Sequence, residues 1–392
     1  MDLILPTQRS APTLMQMMHD LIAAPSMSSV SPAFDCSNNA VIELLASWLE
    51  NEGFSIEISQ LPNQPNKSNL IATLGEIKPN SQGLMLAGHT DTVPYDEQRW
   101  QQDPFKLVEK NQRLYGLGTS DMKSFFALAI EAARQFEAKN LKHPLVILAT
   151  ADEESSMEGA QLVNEQGCPY VSHAIVGEPT GLRPVNAHKG MMMEAIRLTG
   201  QSGHSSDPSL GLNAMEAMHK TMADILAWRD ELQSRYRDDR FIVSTPTLNL
   251  GHIHGGDNPN RICGGCELHF DLRPLPGMAL AELRAALNER LTKLFKDSAI
   301  QWQQFPLFHG TEAMHTHADT DIVKSCEEFT NQPAETVAFC TEGPYLADIG
   351  INPIILGPGD IAQAHQPNEF LALDRLQPTI NLLTNLIRRF CT

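Results

Sequence analysis

Five short apolar stretches of the chain each lead into a side chain that can bind a metal ion. These side chains are His89 with Asp91, Asp121, Glu153 with Glu154, Glu178, and His365. Imidazole and carboxylate groups are good ligands for zinc and cobalt, and two divalent ions roughly 3.5–4 Å apart need a bridging carboxylate. Taken singly, each residue has a structural explanation, such as a solvated loop or, for Asp121, the N-cap of a helix. Taken together, they predict a site for a pair of divalent ions.

The elements that would position these side chains alternate between strands and helices. Strands are predicted at Leu70–Leu74, Leu84–Ala87, Leu145–Thr150 and Ala174–Val176, and amphipathic helices at Asn39–Glu52 and Met122–Phe136. This alternation is typical of a mostly parallel sheet covered by helices. In such sheets the ligand crevice lies beyond the carboxyl ends of the strands, so we expect the metal-capable side chains to converge there.

A different pattern, over roughly residues 186–307, interrupts this domain. It predicts strands at Met191–Thr199, Thr247–His254, Ile262–Arg273 and Ala299–Phe305, and helices at Asn213–Tyr236 and Leu280–Phe295. The order βαββαβ is that of a ferredoxin-like unit with an antiparallel sheet. The first pattern then resumes with Asp321–Thr330, Pro353–Leu356 and Leu373–Phe390. We therefore predict an α/β domain formed by residues 1–185 and 308–392 and split by a compact domain at residues 186–307.

The composition bounds the class of protein. The chain has 392 residues, a formal net charge of −18 and 42% hydrophobic residues, which is globular composition. The negative charge argues against nucleic acid or an anionic membrane as a partner. Met1–Pro6 is too short for a signal peptide, and the apolar stretches fall far below the ~20 residues of a spanning helix. The seven scattered cysteines, with Cys263 and Cys266 as the close pair, fit reduced thiols, so we expect a cytoplasmic protein.

Several sequence strings resemble motifs of the M20 family of co-catalytic metallopeptidases and deacylases. They begin at Gly88, Gly116, Ala151, Gly177 and Gly200 and read GHTDTVP, GLGTSDMK, ADEE, GEPT and GQSGHSS. The resemblance runs through essentially the whole chain, in order. It implies a zinc-peptidase-like catalytic domain of the α/β class, with a mixed, largely parallel sheet, interrupted by a ferredoxin-like dimerisation domain.

The resemblance also implies a role for each metal-capable side chain. His89 and Glu178 would bind one ion, Glu154 and His365 would bind the other, and Asp121 would bridge them. The expected cofactors are two divalent ions per subunit, Zn²⁺ or alternatively Co²⁺.

Two further residues are implied to act without binding an ion. Asp91, two residues past His89, would orient the imidazole of His89. Glu153 would take a proton from the attacking water and deliver it to the leaving amine, a contribution of roughly 10²–10⁴ in rate.

His204, in the insertion, is implied to complete the active site of the partner subunit of a homodimer formed through residues 186–307. There it would stabilise the oxyanion of the tetrahedral intermediate. From the residues alone, an exposed polar turn is the better explanation of the segment Gly203–Ser206.

The residues expected to bind substrate are Asn260, Arg273, Thr341 and Glu342. Arg273 could hold an α-carboxylate through two hydrogen bonds, but an ion pair with Asp271 or Glu267 explains it equally well. Glu342 is a candidate partner for a cationic side-chain amine. His252 and His254 receive no role.

The function implied is hydrolysis of N²-acetyl-L-ornithine to ornithine and acetate, a step of arginine biosynthesis. Strings at residues 115–119, 260–263, 271–278, 339–342 and 357–367 favour this member of the family. The alternatives are another activity of the family, such as succinyl-diaminopimelate desuccinylation or dipeptide or acyl-amino-acid hydrolysis. Less favoured are a two-metal phosphoesterase, because no phosphate-binding glycine loop is seen, and a metal-dependent binding protein without catalysis.

Overall fold

A computed structural model describes residues 11–78, 81–168 and 171–392. Residues 1–6, at which the sequence argues against a signal peptide, lie outside these ranges. The helices are α1 (Leu14–Ala23), α2 (Asn39–Asn51), α3 (Ser124–Ala133), α4 (Glu158–Gln166), α5 (Ala214–Arg235), α6 (Leu280–Leu294), α7 (Asp321–Thr330), α8 (Gly343–Asp348) and α9 (Leu376–Cys391). The strands are β1 (Ser55–Leu61), β2 (Gln64–Leu74), β3 (Leu84–His89), β4 (Val108–Lys110), β5 (Arg113–Tyr115), β6 (Leu145–Thr150), β7 (His173–Val176), β8 (Val185–His188), β9 (Met192–Thr199), β10 (Thr247–Gly255), β11 (Gly265–Arg273), β12 (Gln301–Pro306), β13 (Met314–His315), β14 (Glu335–Val337), β15 (Asn352–Ile355) and β16 (Phe370–Ala372).

The described chain divides into two compact units. The first unit contains the residues up to 186, residues 316–335 and residues 341–392. The second unit contains residues 187–315 and 336–340. The chain thus leaves the first unit after β7 and returns to it before α7.

The first unit is built on a mixed sheet in which β1, β2, β6, β3, β7 and β15 follow one another. The four strands β6, β3, β7 and β15 pair in parallel, whereas β1 and β2 pair in antiparallel fashion. The carboxyl ends of the four parallel strands therefore lie at one edge of the sheet. The parallel pairing that the sequence predicts is confined to this central part.

Apolar packing on both faces holds these central strands in place. Every residue of β3 and β6 is buried, and α3, whose sequence is apolar almost all round, packs against β3, α1 and α9. A Cβ on Gly88 would lie 2.1 Å from Cε of Met122. Glycine at this point of β3 therefore lets the start of the α3 segment pack directly against the strand.

The second unit has the ferredoxin-like organisation. Its sheet has the order β10-β11-β9-β12, and every neighbouring pair is antiparallel. In β11 the side chains alternate, and those that face the helices are buried: Cys266, Leu268, Phe270 and Leu272. Helix α5 begins at a side-chain cap, where Asn213 accepts hydrogen bonds from the main-chain N–H groups of Met215 and Glu216.

Several elements of the first unit differ from the prediction, and α1, α4 and α8 are not predicted. Strand β1 and the small sheet β16-β5-β4 are not predicted, because β1 is largely polar and the strands of the small sheet have three residues each. Strand β2 begins at Gln64 and not at Leu70, since Lys67, Ser68 and Asn69 are buried polar residues that give no apolar signal. Helix α3 begins at Ser124, two residues later than predicted. No helix among the described residues is both long and apolar enough to cross a lipid bilayer.

Candidate metal centre

The ends of three parallel strands deliver most of the metal-capable side chains. His89 is the last residue of β3, and Glu178 lies two residues beyond β7. Glu153 and Glu154 lie in the turn that follows β6. Because neighbouring parallel strands end at the same edge, these side chains come together although up to 89 positions separate them in sequence.

Asp121 lies between two histidines, in the loop that joins β5 to α3. Its Oδ1 is 3.2 Å from Nε2 of His89, and its Oδ2 is 3.6 Å from Nε2 of His365. The same Nε2 atom of each histidine also lies near a second carboxylate. Nε2 of His89 lies 3.7 Å from Oε1 of Glu178, and Nε2 of His365 lies 2.9 Å from Oε2 of Glu154. A carboxylate with one oxygen towards each histidine has the arrangement that a bridge between two ions requires.

The donor atoms fit divalent cations. Two groups of three side chains bring one ligand atom each to within 4.8 Å of the others: His89 with Asp121 and Glu154, and His89 with Glu153 and Glu178. Burial and the nearby carboxylates raise the pKa values of Glu153 and Glu178 well above the usual range. Such crowding of acidic groups is unfavourable without a cation, so the chemistry of the site matches a pair of positive ions.

The nearby carboxylates also raise the pKa values of the two imidazoles. Burial lowers the pKa of His89, but the hydrogen bond to Asp121 and the charge of Glu178 outweigh it, so the pKa lies well above its usual value. The contact with Glu154 is the largest cause that raises the pKa of His365 to about 9. Metal ions and protons would therefore compete for both rings.

Asp91 lies beside His89 and meets it mainly through its main chain. The atom nearest to Nδ1 of His89 is the main-chain carbonyl oxygen of Asp91, at 3.0 Å, whereas the carboxylate oxygen lies 3.7 Å away. The carboxylate instead accepts hydrogen bonds from the main-chain N–H groups of Glu153 (3.3 Å) and Glu154 (3.0 Å). Asp91 thus contacts the imidazole through its backbone and the turn after β6 through its side chain.

A buried cation supports the same turn and was not predicted. Nζ of Lys67, on β2, lies 2.7 Å from Oδ1 of Asp152, which immediately precedes Glu153. Asp152 has a positive φ of 57°, and its carbonyl oxygen accepts hydrogen bonds from the N–H groups of Ser156 and Met157. The sequence gives little sign of this role, since an isolated lysine in a strand is most often exposed.

Thr341 and Glu342 lie in a buried loop of the first unit. Thr341 is fully buried, and Glu342 is 1% exposed just before α8. Thr150, the last residue of β6, donates a hydrogen bond from Oγ1 to Oε2 of Glu342 at 2.6 Å. Burial raises the pKa of Glu342 to about 7.

The remaining predicted site residues belong to the second unit. His204 is exposed, and its Nδ1 is 2.7 Å from the hydroxyl of Ser206 in the same turn. Asn260 is also exposed, and its carbonyl oxygen accepts a hydrogen bond from the N–H of Ser205. The loops that carry His204 and Asn260 are therefore neighbours. Arg273 donates from Nε to Oδ2 of Asp271 at 2.9 Å, the ion pair that the sequence offers as the structural alternative.

Comparison with known proteins gives concordant similarities. Residues 85–389 match the sequence profile of peptidase family M20/M25/M40. The chain is 49% identical over 387 residues to an acetylornithine deacetylase of Edwardsiella ictaluri, which covers 97% of this chain and 98% of that protein.

Two solved structures share the fold at low sequence identity. One is aminopeptidase PepT from Bacillus cereus, with a TM-score of 0.75, 18% identity, and coverage of 98% of this chain and 99% of that one. The other is a Bacillus subtilis peptidase of the M20 family described as binding a dinuclear metal, with a TM-score of 0.64, 17% identity, and coverage of 96% and 98%.

Proposed function

The chain belongs to peptidase family M20/M25/M40, and from this premise we propose that it removes the acetyl group from N²-acetyl-L-ornithine, yielding L-ornithine and acetate. The observation that carries the substrate is the 49% identity to an acetylornithine deacetylase over nearly the full length of both chains. The chain is accordingly a metal-dependent hydrolase. Its product, ornithine, makes arginine biosynthesis the proposed pathway.

The proposed cofactors are two divalent ions per subunit, with zinc as the expected metal and cobalt as the alternative. His89 and Glu178 would hold one ion and Glu154 and His365 the other, with Asp121 between them, in keeping with the short distances among these five side chains. Ions bound here lower the pKa of a coordinated water and polarise the acyl oxygen of the substrate.

Glu153 is proposed to move the proton. Its carboxylate would accept a proton from the water that attacks the acetyl carbon. It would then donate this proton to the amine nitrogen as the C–N bond breaks, which leaves acetate and a free amine. Two features support this assignment. Asp91 fixes the main-chain N–H groups of both Glu153 and Glu154 and so holds the turn that carries the two carboxylates. Burial raises the pKa of Glu153, and a raised pKa favours uptake of a proton by this carboxylate.

The second unit is proposed to form the homodimer and to supply substrate contacts. His204 would stabilise the oxyanion in the partner subunit's site, and Asn260 and Arg273 would contact the amino-acid part of the substrate. The direct contact between the loops of His204 and Asn260 supports their acting as one surface. For Arg273, binding an α-carboxylate would mean exchanging its bond to Asp271.

A cytoplasmic location is proposed because the buried cysteines Cys263, Cys266, Cys326 and Cys391 are free thiols. Free thiols persist in a reducing compartment.

A substrate panel tests the proposed function. The metal-stripped protein is reconstituted with Zn²⁺ or Co²⁺ and assayed on N²-acetyl-ornithine, succinyl-diaminopimelate, a dipeptide and a phosphate monoester. We expect turnover of N²-acetyl-ornithine to exceed the others and to require metal. Preference for another N-acyl or peptide substrate would refute the substrate but retain the hydrolase. Activity on the phosphate ester alone, or two bound ions without any turnover, would refute the proposal altogether.

A further inference from the structure

Glu369 is a buried carboxylate with main-chain partners at the edge of the metal centre. It lies four residues after His365, just before β16, and is 1% exposed. Its Oε1 accepts hydrogen bonds from the N–H groups of Ser120 (2.6 Å) and Asp121 (3.0 Å), and its Oε2 accepts one from the N–H of Gly118 (3.0 Å). Three amides of a single loop thus converge on one side chain.

The same two segments are also joined through their backbones. Phe370, Leu371 and Ala372 of β16 pair with Tyr115, Leu114 and Arg113 of β5. The ladder continues past β5, since the N–H of Gly116 donates to the carbonyl oxygen of Glu369 at 3.1 Å. The segment that carries His365 and the segment that carries Asp121 therefore run side by side as they approach the metal centre.

The loop that carries Asp121 also contacts Gly359 and Asp360, which precede His365 in the chain. The hydroxyl of Ser120 accepts a hydrogen bond from the N–H of Asp360 at 3.0 Å and lies 3.2 Å from its carbonyl oxygen. A Cβ on Gly359 would lie 2.3 Å from the carbonyl oxygen of Ser120, so only glycine permits this approach. Residues 359–372 thus hold the loop from two sides, and Glu369 is the charged contact.

We propose that Glu369 is a positioning residue that sets the direction of Asp121 and couples it to His365. Because the N–H groups of Gly118, Ser120 and Asp121 turn inward to the Glu369 carboxylate, the loop backbone keeps one orientation. The Asp121 side chain then presents Oδ1 to His89 and Oδ2 to His365. Groups behind metal ligands commonly control affinity in this way.

A carboxylate suits this position better than its neutral counterpart. Both oxygens of an ionised carboxylate accept hydrogen bonds, whereas glutamine would turn an NH₂ group towards one of the amide donors. Burial of a charge is unfavourable, and the three N–H donors reduce this cost for the charged form. Lys123 is fully buried at the end of the same loop and interacts electrostatically with Glu369. Its Nζ donates a hydrogen bond to the carbonyl oxygen of Ala24 at 2.7 Å.

Glu369→Gln tests the role without reference to substrate. This inference rests on the two-ion site of the proposed function. Zn²⁺ affinity is measured by competition with a chromophoric chelator, hydrogen exchange is followed over residues 116–123 of the metal-free protein, and the thermal unfolding midpoint is recorded. We expect a 10–100-fold loss of affinity for at least one ion and faster exchange in this segment.

Glu194→Gln is the matched control, because Glu194 is a fully buried carboxylate of the second unit that pairs with Arg284 at 2.7 Å. It should lower the unfolding midpoint without changing Zn²⁺ affinity. If Glu369→Gln lowers only the midpoint and keeps wild-type affinity and exchange, Glu369 serves stability alone and the inference is wrong.

Glu369→Asp provides a second test if the glutamine variant does not fold. It keeps the charge but withdraws the oxygens by about 1.5 Å, one C–C bond. Reduced Zn²⁺ affinity supports the inference, and wild-type affinity overturns it. A wild-type protein that binds two ions but does not hydrolyse N²-acetyl-ornithine would refute the proposed substrate and leave this inference standing. Binding of fewer than two ions by the wild type would remove its basis.

Discussion

Removal of the Lys67 charge should destabilise the turn that carries Glu153. Lys67 is 1% exposed, and its Nζ contacts Asp152 at 2.7 Å and Asp35 at 2.9 Å. Asp152 is 2% exposed and also accepts a hydrogen bond from the Ser28 hydroxyl at 2.9 Å. Lys67→Met keeps the apolar stem of the side chain and removes its charge.

The size of the effect follows from the burial of each partner. Loss of one member of a buried ion pair costs about 3–5 kcal/mol, because the other charge stays buried without compensation. Asp35 is 29% exposed, and its pair with Lys67 should contribute no more than about 1 kcal/mol. Most of the cost of Lys67→Met is therefore expected from Asp152.

A double-mutant cycle isolates this contribution. Asp152→Asn removes the opposing charge, tolerates the positive φ and keeps an oxygen that can accept from Ser28. Lys67→Met combined with Asp152→Asn leaves neither charge buried alone. The double variant should therefore cost about 2–3 kcal/mol less than the sum of the two single variants.

Native-state hydrogen exchange of the β2 amides measures these free energies, because it reports the opening of this region and not of the whole chain. Lys139→Met is the matched control, since Lys139 is exposed and pairs with Glu137 at 2.6 Å. It should leave β2 exchange unchanged. Strict additivity in the cycle, or an equal effect of Lys139→Met, would refute the conclusion that Lys67 stabilises the turn through Asp152.

Three further predictions concern pH, the dimer and the packing behind Glu178. Burial raises the pKa of Asp91 to about 6 and of Glu342 to about 7. The folded metal-free protein then holds more protons than the unfolded chain, so its thermal unfolding midpoint should fall as the pH rises from 5 to 8. Added Zn²⁺ should raise the midpoint most at pH 8. A midpoint of the metal-free protein that rises over this pH range would contradict the prediction. Mixed Glu153→Gln and His204→Ala subunits, each inactive alone, should regain up to about a quarter of wild-type activity if His204 acts across the dimer, and confirmed mixing without recovery would exclude that role. Gly177→Ala should cost about 1–3 kcal/mol, since its Cβ would lie 2.2 Å from the Phe125 ring, whereas Gly265→Ala, with 3.9 Å to the nearest atom, should be tolerated in the same unfolding assay.

The fold could be predicted where one periodicity dominates. Strands β3 and β6 are short, apolar and buried on both faces, and β11 alternates along its length, so both kinds of strand leave a clear signal. The polar start of β2 leaves none, because its burial depends on partners elsewhere in the chain. Lys67, for example, is buried only because Asp152 lies beside it, 85 positions away.

Some residues of the candidate site could likewise be predicted from the sequence, and others could not. Side chains at strand ends, such as His89 and Glu178, can be recognised because strand direction alone brings them together. Glu369 cannot, because its partners are main-chain N–H groups in a loop whose path no pattern specifies. The direction of a side chain is similarly hidden: the sequence places Asp91 near His89, but not its carboxylate on the turn of Glu153. The roles of His204, Asn260 and Arg273 stay predictions.

Glu153→Gln tests the central claim most directly, because Glu153 is assigned to proton transfer although it also lies within reach of His89 and Glu178. Metal content and kcat on N²-acetyl-ornithine are measured on the same preparation, with Glu158→Gln as a control at a carboxylate bonded to Gln64. The account predicts about two ions per chain, a roughly 10²–10⁴-fold lower kcat for Glu153→Gln, and wild-type behaviour for the control. Turnover close to that of the wild type with both ions bound, or loss of an ion from the variant, would contradict it.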